Sequence, residues 1–165
     1  EEYNNSKATK IGFFTYDLEP PSILEFRKYP LDQLTKITLS KLSSSKAPFF
    51  VMIEGSQIDW AGHNNDLNYL VTEFIEFNSA IQAALDFAIK DGNTLVIVTA
   101  DHETGGLALT GGKISQNKVS GRFVTKGHSA TMVPVFSYGP NSESFKGIYE
   151  NTEIFKKLKS TLDIK

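Results

Sequence analysis

Cysteine is missing from all 165 residues. Disulfides, thiolate zinc fingers and a cysteine nucleophile are thereby excluded, while the compartment stays open. An excess of one charge is missing too. Seventeen basic residues against nineteen acidic ones leave a formal net charge of −2, so the whole chain has no basic footprint for nucleic acid. No apolar run nears the roughly 20 residues needed to span a bilayer. A Gly-x-Ser-x-Gly elbow does not occur, and Gly127-His128-Ser129 does not match one. Gly105-Gly106 and Gly111-Gly112 allow tight turns but lack the spacing of a phosphate-cradling loop. The start, Glu1-Glu2-Tyr3-Asn4-Asn5, shows neither a basic nor an apolar leader region and does not begin with Met. The expectation is a mature form or an excised piece.

What is present is ordinary globular material. The chain is 40% hydrophobic and 12% aromatic, enough for one domain with a real core and no interior boundary. Residues 10–16 read as a short strand, and prolines from Pro20 to Pro30 mark a turn-rich stretch. Leu31, Leu34, Thr38 and Leu42 recur at helical spacing, and Ser43 to Ser45 close that helix. Residues 49–53, Phe-Phe-Val-Met-Ile, read as a strand buried on both faces. From Leu67 to Ala88 the apolar residues trace a long amphipathic helix, with Asp91-Gly92-Asn93 as its cap and turn. Residues 94–99, Thr-Leu-Val-Ile-Val-Thr, read as a second fully buried strand. Strand, helix, strand at this distance predicts a βαβ unit, with a parallel pair and a right-handed crossover. Residues 107–125 read as an irregular hairpin or loop, and residues 133–138 as an edge strand because of Pro134. A last helix opens near Asn151 or Thr152 and buries Ile154, Phe155, Leu158 and Leu162. The fold class is α/β with a mostly parallel sheet.

In such sheets ligands bind beyond the carboxyl ends of strands. The first apolar strand ends at Glu54 and leads to Asp59, Trp60 and His63; the second ends at Asp101-His102; His128 precedes the third. All three histidines of the chain therefore fall in these loops. Asp59 and His63 lie four apart, so one helical turn aims both at one point. Carboxylate oxygen and imidazole nitrogen are ordinary zinc ligands, and Glu54, an oxygen donor, suits a harder cation such as Mg²⁺. Each residue has a plainer alternative: a solvated His63, a helical Asp59–His63 ion pair, Asp101 as a helix cap, Glu54 as a wet strand end. All of these must hold at once if every histidine still lands on the same rim, and the coincidence favours a metal site.

These residues resemble the motifs of the alkaline phosphatase family. Residues 49–63 are similar to its stretch of magnesium and zinc ligands. Residues 94–106, ending Ala-Asp-His-Glu-Thr-Gly-Gly, resemble its second metal motif, and Gly127-His128-Ser129-Ala130-Thr131 with residues 133–136 resembles the third. The resemblance implies a three-layer α/β/α sandwich of which residues 1–165 form the C-terminal part of a single catalytic domain. It implies that Asp59, His63 and His128 hold one Zn²⁺, that Asp101 and His102 hold a second, and that Glu54 helps hold one Mg²⁺. Trp60 falls beside the phosphate pocket. The family's nucleophilic serine, an aspartate shared between metals, a threonine ligand and a phosphate-clamping arginine have no counterpart here. The implied activity of the intact enzyme is hydrolysis of phosphate monoesters through a phosphoserine, as a periplasmic or secreted homodimer. Related metal-dependent phosphodiesterases, sulfatases and phosphomutases, and a non-enzymatic metal-binding domain, are the competing readings.

Overall fold

The computed structural model describes residues 10–163, so the reading of Glu1 to Asn5 lies outside the described residues. The chain divides into two compact units, residues 1–61 with 66–84 and residues 62–65 with 85–165.

In the first unit, prolines keep residues 10–30 irregular apart from one 3-10 turn at Ile23–Glu25. The strand expected over residues 10–16 is absent: these residues form bends and irregular backbone, and Phe14 is 90% exposed. Arg27 ties this segment down. Its Nε donates to the Pro21 carbonyl at 2.9 Å, and its Nη atoms pair with Glu73 at 2.7 Å and with Glu76. The same two carboxylates accept the backbone N–H of Ile23, at 2.7 Å, and of Leu31, at 2.8 Å. Helix α1, Leu31–Ser43, starts directly after Pro30, whose fixed φ suits a helix entry, and ends at Ser44. It buries Thr35 and Leu39, one turn apart. Residues 49–53 were expected to be a strand buried on both faces. Instead they carry no assigned strand, with Phe50 62% and Met52 78% exposed, because a strand buried on both faces needs a sheet around it.

Helices α2, Gln57–Asn64, and α3, Leu67–Asp91, follow. Helix α3 opens on Asp66, whose Oδ1 accepts the Tyr69 N–H at 3.0 Å. It closes at Gly92, which has φ 74° and donates its N–H to the Ala88 carbonyl at 2.9 Å.

Among the described residues the second unit holds six short strands: β1 (Val96–Val98), β2 (Glu103–Thr104), β3 (Ala108–Lys113), β4 (Lys118–Arg122), β5 (His128–Ser129) and β6 (Phe136–Tyr138). Among the described residues they pair as β1–β6, β2–β5 and β3–β4, all antiparallel. The run over residues 94–99 shrinks to the half-buried β1, with Ile97 opposite Ser137, so its full burial is corrected. No parallel pair is found among the described residues. The glycine-rich stretch is the expected hairpin, β3–β4, with its strand residues almost wholly exposed. Helix α4, Glu153–Thr161, begins where expected. Phe155 is 69% and Leu162 37% exposed, which corrects their assignment to the core; Phe145 is the buried aromatic of this region.

Candidate metal centre

The sequence aims His63, Asp101, His102 and His128 at one rim, and the second unit brings all three imidazoles together. Two glycines make this possible. A Cβ on Gly62 of α2 would stand 2.9 Å from the Thr104 carbonyl oxygen, so glycine lets the helix and the β2 backbone touch. Gly105 follows β2 with φ 93°, and a Cβ there would meet the Phe123 ring at 2.7 Å. Its N–H donates to the Gly127 carbonyl at 3.0 Å, which sets β5 against β2 with His128 opposite Thr104.

The three rings then sit in fixed relation. Nδ1 of His63 lies 2.5 Å from the Lys126 carbonyl oxygen. A carbonyl only accepts, so Nδ1 carries a proton, and in the neutral ring the lone pair is on Nε2. Nε2 of His63 faces Nε2 of His128 at 3.2 Å. The His102 ring stacks on His128 with centroids 3.5 Å apart and planes 20° apart. Nδ1 of His102 meets Thr104 Oγ1 at 3.2 Å, and its Nε2 lies 3.2 Å from an Asp101 oxygen. Asp101 itself is 83% exposed. Glu103, next in sequence, is occupied otherwise: it accepts the Leu107 N–H at 3.3 Å and the Ser129 hydroxyl.

The donor set fits a divalent metal. Two nitrogens bound to one tetrahedral zinc stand about 3.3 Å apart, from bond lengths of about 2.0–2.1 Å, and the His63–His128 separation of 3.2 Å matches. Orientation of a ligating imidazole through its other nitrogen by a backbone carbonyl is the usual support of such a ligand, and Lys126 provides it. Sequence reading missed that carbonyl, which no side-chain pattern reveals. Gly62 was the available signal, since glycine inside a helical stretch marks a close backbone approach.

The remaining candidates belong to the first unit. Asp59 sits half-buried on α2, one turn before His63, and Trp60 beside it is 46% exposed. Glu54 is exposed and lines a cleft of about 80 Å³ with Tyr16, Arg27 and Gln57.

A chain of helices and short strands that brings three imidazoles together from α2, β5 and the segment before β2 is an α/β chain with a candidate metal centre. Comparison with known proteins narrows this. Residues 12–122 match the alkaline phosphatase family model. Alkaline phosphatase 3 of Bacillus subtilis is 32% identical over 93% of this chain and 49% of its own length. The alkaline phosphatase of the Antarctic bacterium TAB5 has a similar structure, with a TM-score of 0.80 and 47% identity over 87% of this chain and 43% of that one. A mutant of the TAB5 enzyme with Mg bound in its M3 site is similar at TM-score 0.79 and 47% identity, covering 87% of this chain and 44% of that one. The chain belongs to the alkaline phosphatase family and has its α/β fold. It spans about half or less of the length of the curated relatives it matches. Among the described residues no helix is long and apolar enough to cross a membrane.

Proposed function

We propose that this chain supplies most of the metal ligands of a phosphate monoester hydrolase, and that a chain of the relatives' full length carries out the hydrolysis. The observation that carries the reading is the facing Nε2 pair of His63 and His128, with His63 oriented by the Lys126 carbonyl. Asp59, one turn from His63 on α2, completes that zinc site with the two imidazoles. Asp101 and His102 hold a second zinc, and Glu54 contributes to a magnesium site. Bound divalent ions would supply charge stabilisation for the attacking and leaving oxygens of an in-line phosphoryl transfer. This chain's own part is to hold the donors in place before substrate arrives, so that little reorganisation is left to the reaction. Trp60, exposed on α2, is read as lying beside the phosphate pocket.

Residues 1–165 are read as the C-terminal part of one catalytic domain. A three-layer sandwich with a mostly parallel sheet would cover the exposed Phe50 and Met52. The nucleophilic serine and the phosphate-clamping arginine lie outside the 165 residues in this reading. The whole protein acts as a homodimer in the periplasm or after secretion. An aryl phosphate assay tests the proposal. A protein of the relatives' full length that carries this segment is expected to cleave the monoester, to stop when metal is chelated, and to leave aryl sulfates and diesters largely intact. The 165-residue chain alone is expected to show no turnover above buffer. A full-length protein that prefers the sulfate or the diester would contradict the proposal.

A further inference from the structure

We propose that Gln57 and Tyr69 form a positioning pair: the hydrogen bond between the buried Gln57 and the half-buried Tyr69 fixes where α2 begins, and with it where Glu54 and Asp59 present their carboxylates. This rests on the ligand reading above and concerns groups that touch neither metal nor substrate. Gln57 is 4% exposed, and a primary amide so far from water requires a partner. The Tyr69 hydroxyl donates to its Oε1. Tyr69 is itself held in place, because its N–H is bonded by the Asp66 carboxylate that caps α3. Burial, and after it the Glu73 carboxylate, raises the Tyr69 pKa above its ordinary 10.0. The hydroxyl therefore remains a donor through neutral and mildly alkaline pH.

The segment is gripped at a second point on the same helix. A Cβ on Gly55 would lie 2.8 Å from Cδ2 of Phe77, so the backbone rests directly against that ring. Tyr69, Glu73 and Phe77 recur every four positions and line one stripe of α3. Glu73 also holds Arg27, which borders the cleft shared by Glu54 and Gln57. Residues 55–57 are therefore fixed against α3 at both ends, and the Gly55 carbonyl accepts the Ile58 N–H at 3.1 Å as α2 starts. Glu54 stands directly before this anchored stretch, and Asp59 two residues after it. Ligand groups need placement within about 0.5 Å, which their supporting contacts supply.

The test uses the 165-residue chain and zinc ion alone, with calorimetric titration beside thermal melting of the metal-free protein. Tyr69→Phe is expected to weaken zinc binding about tenfold or more, together with a lowered metal-free midpoint, because the Gln57 oxygen loses its partner. A bond that serves stability alone would lower the midpoint and leave zinc affinity at the wild-type value, which would overturn the proposal. If Tyr69→Phe does not fold, the pair Gln57→Met/Tyr69→Phe leaves no buried polar group unpaired and is expected to show the same loss. Asp59→Ala separates the two levels. Wild-type zinc affinity in Asp59→Ala removes the ligand reading and the positioning role with it. Lost affinity there, with wild-type affinity in the folded Tyr69 variants, refutes the positioning pair alone.

Discussion

Arg27 shows how single residues hold the first unit together. Its side chain is 7% exposed and faces Glu73, which is 3% exposed, and Glu76, which is 11% exposed. Each carboxylate also accepts a backbone N–H, so desolvation of the charges is offset by several charge-assisted bonds. Arg27→Ala leaves the buried Glu73 and the largely covered Glu76 carboxylates without their cation. The expected cost is about 3–5 kcal/mol of stability in a urea melt, and a cost below about 1 kcal/mol would contradict this role. By contrast, Lys36 pairs with Asp32 at 2.7 Å but is 61% exposed, so its removal is expected to change stability by less than about 1 kcal/mol.

At the scale of elements, α1, α3, α4, the β3–β4 hairpin and the strand at Phe136–Tyr138 were legible in the sequence. Helix α2 falls where the sequence reads as a loop, and the strands expected over residues 10–16 and 49–53 are absent. Proline before α1, serines after it, and the Asp91-Gly92 stop of α3 act through local geometry, so they survive whatever surrounds them. A strand is defined by its neighbours. Residues 49–53 have the composition of a buried strand but carry no assigned ladder, and residues 94–99 contribute only three residues, paired antiparallel to β6. The imidazole cluster was legible because the three histidines lie beside three apolar runs of the sequence, and the structure brings His63 of α2, His102 and His128 of β5 together. The Lys126 carbonyl and the Gln57–Tyr69 bond were not, since backbone acceptors and long-range partners leave no pattern in one sequence. Gly62 tests the local packing. Alanine there gains about 1 kcal/mol of helix propensity, yet its Cβ would press within 2.9 Å of the Thr104 carbonyl. Backbone has little room to yield, so the clash is expected to win. Gly62→Ala should lower the melting midpoint and move the His63 imidazole resonances, whereas a stabilised protein with unmoved resonances would contradict the close approach.

For the whole molecule, binding of a metal at the proposed site would be coupled to folding. Any ion that binds only the folded chain raises its apparent stability, by about 2.7 kcal/mol at a hundredfold excess over Kd. Coordination also requires deprotonated imidazole. Zinc content is therefore expected to fall between pH 8 and 5, and a flat profile would argue against histidine ligands. The large apolar side chains left exposed, Phe50, Met52, Phe74, Ile75 and Phe136 among them, accord with a chain that spans about half or less of its curated relatives. That surface bears on assembly rather than on the metal site.

The central claim is that His63 and His128 share a cation, and calorimetric zinc titration of the 165-residue chain tests it most directly. Wild-type protein is expected to bind zinc in the micromolar range or tighter, and His63→Ala and His128→Ala are each expected to lose at least about 100-fold in affinity, roughly 2.7 kcal/mol. Unchanged stoichiometry and affinity in both variants would contradict the account.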